Sequence, residues 1–207
     1  MNMQIFSLHW ENIDPRIPHY QKKVMDKHQL QIQQHCISGF DHGEWMEWVM
    51  RRTENTDIVL FMDVDCIILD KDKAMGYVQK AHDGTLVGNE QATNHLGEFV
   101  ASRVFVAPSF MAVHRHAWKA LGEPSFKANP FADVGQNLTD VWQQRGIPVE
   151  FLRVTDFEVA KWDLPNKPQS YGIGTTFADT TYHLFESRDP ANADRFVKKC
   201  EEVLNEQ

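Results

Sequence analysis

The amino-acid sequence predicts an α/β fold with a mainly parallel central sheet flanked by helices, and three observations carry that expectation. Through the first half, short apolar runs alternate with segments of helical spacing, which is the signature of βαβ units. One of those runs, 57–62, is a continuous apolar strand of the sort buried on both faces of a parallel sheet. The chain's 207 residues, 42% hydrophobic and 24% charged, suffice for one domain with a sizeable core.

Taken in order, residues 4–9 read as a first strand and 20–28 as a helix. A second strand with polar alternation follows at 31–37, then a turn-rich loop at 38–43. The helix expected over 44–52 puts Trp45, Trp48 and Val49 on one face. The apolar strand 57–62 ends in Asp63-Val64-Asp65, and Cys66-Ile67-Ile68-Leu69 continues it. A helix is expected over 72–81 and a short strand over 85–88. Beyond Asn89 the rhythm changes: 104–107 and 110–114 are strand-like pieces separated by Pro108-Ser109, and 116–121 is a short helix. The stretch 133–145 is expected to be helical, with Val134, Leu138, Val141 and Trp142 on a common face and Gly146-Ile147-Pro148 as its stop. A strand at 149–154, a Gly-, Pro-, Asn- and Thr-rich loop at 163–181 and an amphipathic helix at 191–204 complete the chain.

Charge and composition exclude several classes. With 21 basic against 29 acidic residues the net charge is −8, the wrong sign for a generic binder of nucleic acid or anionic membranes. Apolar runs such as 58–61 and 66–69 fall far short of the ~20 residues that span a bilayer. The opening residues lack the basic and apolar regions of an export signal, so a cytoplasmic protein without stable membrane insertion is expected. Cys36, Cys66 and Cys200 are odd in number and form no CxxC, which argues against a disulfide framework or a thiolate zinc site. His114-Arg115-His116 has the spacing of a metal pair, but no third ligand lies near in sequence, and a solvated polar edge accounts for it.

The chemistry concentrates at Asp63 and Asp65. In an open α/β sheet ligands bind at the carboxyl ends of strands, and these two acids follow the most buried strand. On an extended backbone both point the same way, with Val64 opposed. Paired carboxylates suit a hard divalent cation shared with ligand phosphates, and the cation relieves their mutual repulsion.

With its apolar run Ile58-Val59-Leu60-Phe61-Met62 before Asp63-Val64-Asp65, the chain resembles the GT-A fold glycosyltransferases, which use nucleotide-diphosphate sugars. His42-Gly43 with the helix after it, and the late Tyr182-His183-Leu184-Phe185-Glu186-Ser187-Arg188, extend the likeness. The resemblance implies a single GT-A-like (Rossmann-like) domain over 1–207, with a nucleotide-binding half at 1–88 and an acceptor half at 89–207 that carries a small antiparallel element. It implies that Asp63, Asp65 and His183 hold Mn²⁺ or Mg²⁺, with Asp63 and Val64 also at the nucleotide sugar. Leu8, His9 and Trp10, together with Asp41 and His42, match positions that line base and ribose, and Arg188 would clamp phosphate oxygens. Asp133 matches the general base that takes the acceptor's hydroxyl proton, with Glu90 as a second candidate; Asp133 reads equally well as a helix cap.

The resemblance further implies transfer from a nucleotide-diphosphate sugar, a uridine one by family frequency, to a hydroxyl of a glycan, a protein or a modified nucleic-acid base. Acceptor choice would reside in loops 89–103 and 163–181 or in a partner chain. Two other readings use the same acids. The aspartate pair also resembles the nucleophile motif of haloacid-dehalogenase-like phosphatases, although Ile67 stands where that family places Thr or Val. A nucleotidyltransferase of related fold would need a Gly-rich, cationic loop after the first strand, where Ser7-Leu8-His9-Trp10-Glu11 offers neither feature.

Overall fold

The computed structural model describes residues 2–93, 103–165 and 167–206. In chain order its elements are β1 (Met3–His9), α1 (Arg16–Lys27), β2 (Ile32–Cys36), α2 (His42–Arg52), β3 (Ile58–Met62), β4 (Cys66–Ile68), α3 (Lys71–His82) and β5 (Leu86–Ala92). There follow β6 (Val104–His114), α4 (Arg115–Ala120), α5 (Gln136–Gln144), β7 (Val149–Leu152), β8 (Val154–Asp163), β9 (Ser170–Phe177), β10 (Thr181–His183) and α6 (Pro190–Asn205).

The main sheet has six strands in the order β2-β1-β3-β6-β5-β7. Its neighbours pair in parallel except at β6, which runs against both β3 and β5. A second, antiparallel sheet orders β4-β10-β9-β8. This is an α/β arrangement: a mostly parallel sheet covered by helices, with a smaller antiparallel sheet beside it.

The period of the strand sorts the core. Every residue of β3 is buried. Ile58, Leu60 and Met62 join the cluster that holds Val24 of α1, Val78 of α3 and Phe196 of α6. Val59 and Phe61 join the opposite cluster with Trp45 of α2, Trp118 of α4 and Trp142 of α5. Helices therefore cover both faces, which explains why this strand reads as an unbroken apolar run.

Several sequence expectations are corrected. The pieces 104–107 and 110–114 are one strand, β6, because Pro108 falls where the ladder to β5 is interrupted. Gly88 pairs with Met111 and Asn89 with Ala107, which leaves 108–110 unpaired on that side, where a residue without N–H costs no ladder bond. A β-carbon on Gly88 would lie 2.0 Å from the Phe110 carbonyl oxygen, so the bulge packs where only glycine fits. The expected strand 149–154 is two elements, β7 and the start of β8, in different sheets. The expected loop 163–181 contains the eight-residue strand β9, most of it buried. Of the proposed acceptor loop 89–103, residues 89–92 are strand and 94–102 lie outside the described residues. α1 begins at Arg16, four residues before the expected start. His114 uses Nδ1 to accept the N–H of Ala117 and so caps α4.

His35 on β2 lends itself to a test. The Trp45 indole N–H donates to its Nδ1 at 2.9 Å, and the rings of Phe6, Trp45 and Trp48 surround it. Burial holds its pKa below the ordinary imidazole value. A base whose folded-state pKa is lowered stabilises the fold above its unfolded value, and that contribution is lost as pH falls from there through the folded one. Chemical unfolding from about pH 7.5 to about pH 5, on either side of the ordinary value, should therefore show a smaller stability loss in His35→Gln, which keeps an acceptor for the indole, than in the unaltered chain. An equal loss in both proteins would contradict this.

Candidate functional site

The main sheet delivers its most apolar strand to a turn. At Met62 the chain leaves β3, and Asp63-Val64-Asp65-Cys66 form a turn closed by the Cys66 N–H on the Asp63 carbonyl at 3.0 Å. The aspartates thus sit on a turn and not on the extended backbone the spacing suggested, because here the chain crosses from the main sheet into β4 of the second. The carboxylates nevertheless converge. β10 lies antiparallel to β4 with His183 opposite Cys66, and the Leu184 N–H bonds the Asp65 carbonyl at 3.0 Å. This register carries an imidazole from 118 residues away onto the turn.

His183 Nε2 lies 3.1 Å from Asp65 Oδ1 and 3.5 Å from Asp63 Oδ2. One ligand atom each from Asp63, Asp65 and His183 fall within 4.8 Å of one another. On the other side His42 Nε2, at the start of α2, is 3.7 Å from Asp63 Oδ1. The Ser187 hydroxyl acts on the Asp65 carboxyl and favours its ionised form. Asp65 and His183 are buried, while the Asp63 side chain keeps 26% of its surface exposed at the cleft.

The electrostatics follow. Burial raises the Asp63 carboxyl, and the neighbouring charges of Asp65 and Asp133 add to it against the pull of His42 and His183. Asp65 is also pushed up by burial, but His183 and the Ser187 hydroxyl outweigh that and hold it below the ordinary carboxylate value. His183 is raised: burial opposes its charged form, and the charge and hydrogen bond of Asp65, with Asp63, overcome it. Its Nδ1 is buried and has no hydrogen-bond partner among the described residues. Two carboxylates and an imidazole, with negative charge in excess, form a donor set that fits a divalent cation such as Mn²⁺ or Mg²⁺.

A cleft of about 260 Å³ opens over this cluster. Of the residues expected from sequence, it brings together Leu8, His9, Trp10, His42, Asp63, Val64, Asp65, His183 and Arg188. The Arg188 guanidinium lies over the Trp10 ring, 4.9 Å from its centroid, and His42 meets that ring edge-on. Asn12, Ile13 and Phe185 also line the cleft, and of these only Phe185 falls in a motif that the sequence singles out. Phe185 packs its ring 3.9 Å from that of His183, and both Phe185 and Glu186 adopt positive φ, at 57° and 49°. Side chains larger than glycine seldom take that conformation, and such strain gathers at ligand sites.

Three expected residues lie elsewhere. Asp41 is the exposed N-cap of α2 and accepts from the Glu44 N–H at 3.3 Å. Glu90, on β5, is fully buried, its Oε1 held by Arg153 and Lys167. Asp133 does not begin α5: Gly135, at φ 79°, intervenes, and Asp133 Oδ1 accepts from the Val134 N–H at 2.7 Å. Asp133 is outside the cleft lining, yet its charge reaches both Asp63 and Tyr171. Among the described residues no helix is long and apolar enough to cross a membrane.

No protein-family model matches the chain, and no curated protein does. Among solved structures it is similar to a glycosyltransferase involved in the glycosylation of the major capsid of PBCV-1, at 11% identity over 74% of this chain and 82% of that one, TM-score 0.45. It is similar also to a mutant of Drosophila β-1,4-galactosyltransferase 7 in complex with manganese, UDP-Gal and xylobiose, at 13% identity over 87% and 70%, TM-score 0.46. A third is a candidate glucose-1-phosphate thymidylyltransferase from Bacillus anthracis in complex with sucrose, at 9% identity over 97% and 96%, TM-score 0.48. At such identities the chemistry of the cleft has to be read from its own residues.

Proposed function

We propose that the chain is a metal-dependent glycosyltransferase, acting in the cytoplasm, that moves a sugar from a nucleotide-diphosphate donor, a UDP-sugar in the first instance, to an acceptor hydroxyl. The observation that carries this reading is the convergence of Asp63, Asp65 and His183 within 4.8 Å at the carboxyl end of a buried strand. A binding cleft lies directly over them.

Asp63, Asp65 and His183 would hold Mn²⁺ or Mg²⁺, whose charge offsets that of the departing diphosphate. Arg188, on the rim, offers a forked donor to phosphate oxygens, and Trp10 supplies an aromatic wall for the nucleoside. Leu8, His9 and Val64 close the floor of the cleft. Asp133 would take the proton of the acceptor hydroxyl as it attacks the anomeric carbon. Glu90, already engaged by two cations, fits the role less well.

A thermal-shift screen of UDP, GDP and their sugars, each with and without Mn²⁺, tests the reading. UDP with Mn²⁺ is expected to raise the melting temperature more than either alone, since a shared cation couples their binding. Failure of every nucleotide in the presence of metal would reject the transferase. Metal-dependent release of phosphate from a generic ester, lost in Asp63→Asn, would instead favour the phosphatase.

A further inference from the structure

We infer that Gln21, on α1, is a positioning residue for the turn that carries Asp63 and Asp65, an inference that rests on the proposed metal site. The inward face of α1 is formed by Ile17, Gln21, Val24 and Met25, and the lone polar member among them is completely buried. A buried primary amide costs several kcal/mol of lost hydration, on the order of 2–7, unless its hydrogen-bonding groups find partners. Gln21 finds them all. Nε2 donates to the Asp63 carbonyl at 2.7 Å and to the Cys66 carbonyl at 2.8 Å. Oε1 accepts from the Ser7 hydroxyl at 3.2 Å and from Gln34 Nε2 at 3.0 Å. The amide has two N–H groups and two lone pairs, and each is used.

The destinations give the arrangement its meaning. One nitrogen grips the first and last carbonyls of the turn, which the Cys66 N–H already closes from within. The oxygen is anchored to β1 through Ser7 and, through Gln34, to β2, so the turn is fastened to two strands of the main sheet, of which β1 ends at the cleft. With both backbone ends held, the carboxylates of Asp63 and Asp65 have little freedom to move relative to His183. An apolar replacement would leave two interior carbonyls short of a donor, and the turn would shift to recover one. Loss of a partner behind a metal ligand typically weakens affinity by about 10–100-fold.

Mn²⁺ binding to the full chain, measured by titration calorimetry or by the spin-resonance signal of free Mn²⁺, tests this. Gln21→Met, close in shape and without donors, is expected to keep the native circular dichroism and to bind Mn²⁺ roughly tenfold or more weakly. Gln21→Asn, one methylene too short to reach both carbonyls, should move in the same direction and serves if the methionine variant does not fold. Val24→Ala, on the same buried face, loses stability through a cavity alone and is expected to leave the Mn²⁺ dissociation constant unchanged. The inference is overturned if the Gln21 variants bind Mn²⁺ as tightly as the unaltered chain, or if Val24→Ala weakens binding equally. Absence of Mn²⁺ binding by the unaltered chain, or its persistence in Asp65→Ala, would instead bring down the metal site itself, and this role with it.

Discussion

Replacing Asp65 with alanine is expected to abolish the Mn²⁺-dependent rise in melting temperature that UDP produces. A ligand present at a hundredfold its dissociation constant adds about 2.7 kcal/mol of stability. For a chain of this size that corresponds to roughly 5–10 °C. Asp65 is the ligand best prepared to supply that effect. Its carboxyl is buried, held ionised by His183 and Ser187, and attached to a turn pinned on both sides. Its removal leaves His183 with Asp63 alone, whose side chain is more exposed and whose carboxyl burial pushes up. Because Asp65 also pairs with His183 in the metal-free protein, each variant must be compared with itself, with and without ligand. A shift in Asp65→Ala at least half that of the unaltered protein would show that Asp65 does not hold the cation.

The second large effect is expected at a residue outside the cleft lining. Glu90 is fully buried and its Oε1 is held by Arg153 and Lys167, while Oε2 has no hydrogen-bond partner among the described residues. The two cations are partly in solvent, so losing the glutamate would let them relax into water; losing the cations would not release the glutamate. Arg153→Met combined with Lys167→Met therefore strands a carboxylate in the interior, at a cost of about 3–5 kcal/mol. In melting temperature that is roughly 6–20 °C. Adding Glu90→Gln should recover most of the loss, because a neutral amide carries a far smaller desolvation penalty. A double variant that melts within a degree or two of the parent, on the order of half a kcal/mol, would rule out this account.

How much of this was legible in the chain depended on whether a local pattern matched what tertiary packing required. β3 and its aspartates were legible because a strand covered on both faces must be apolar throughout, and 57–62 is. His183 stood out through its place in a family likeness and not through its surroundings, since β10 is only three residues long and its partner β4 is distant in sequence. β9 is hidden in the sequence because Gly172 and Gly174 suggest a loop. A β-carbon on Gly172 would come within 2.2 Å of the Val159 carbonyl, so that glycine marks a close approach of two strands. Asp133 reads as a helix start because the periodicity of 133–145 runs through Gly135, whose left-handed conformation sets the boundary of α5. Gln21 leaves a faint trace, a polar residue in the stripe Ile17, Val24, Met25, which a helix starting at Tyr20 does not reveal because it omits Ile17.

The crossing of the chain from the main sheet into the second gives the aspartate turn a mechanical character. One side of the cluster belongs to the end of β3, and the other to a strand 118 residues further along. An ion seated there would act as a clasp between two sheets that the backbone joins directly only through this turn and the β7–β8 step. Closing a loop of that length costs the unfolded chain about 4 kcal/mol in entropy, so the contact exists only once both sheets have assembled. Whatever binds it draws on the folding of the whole molecule, and occupancy of the cleft and integrity of the second sheet become one equilibrium.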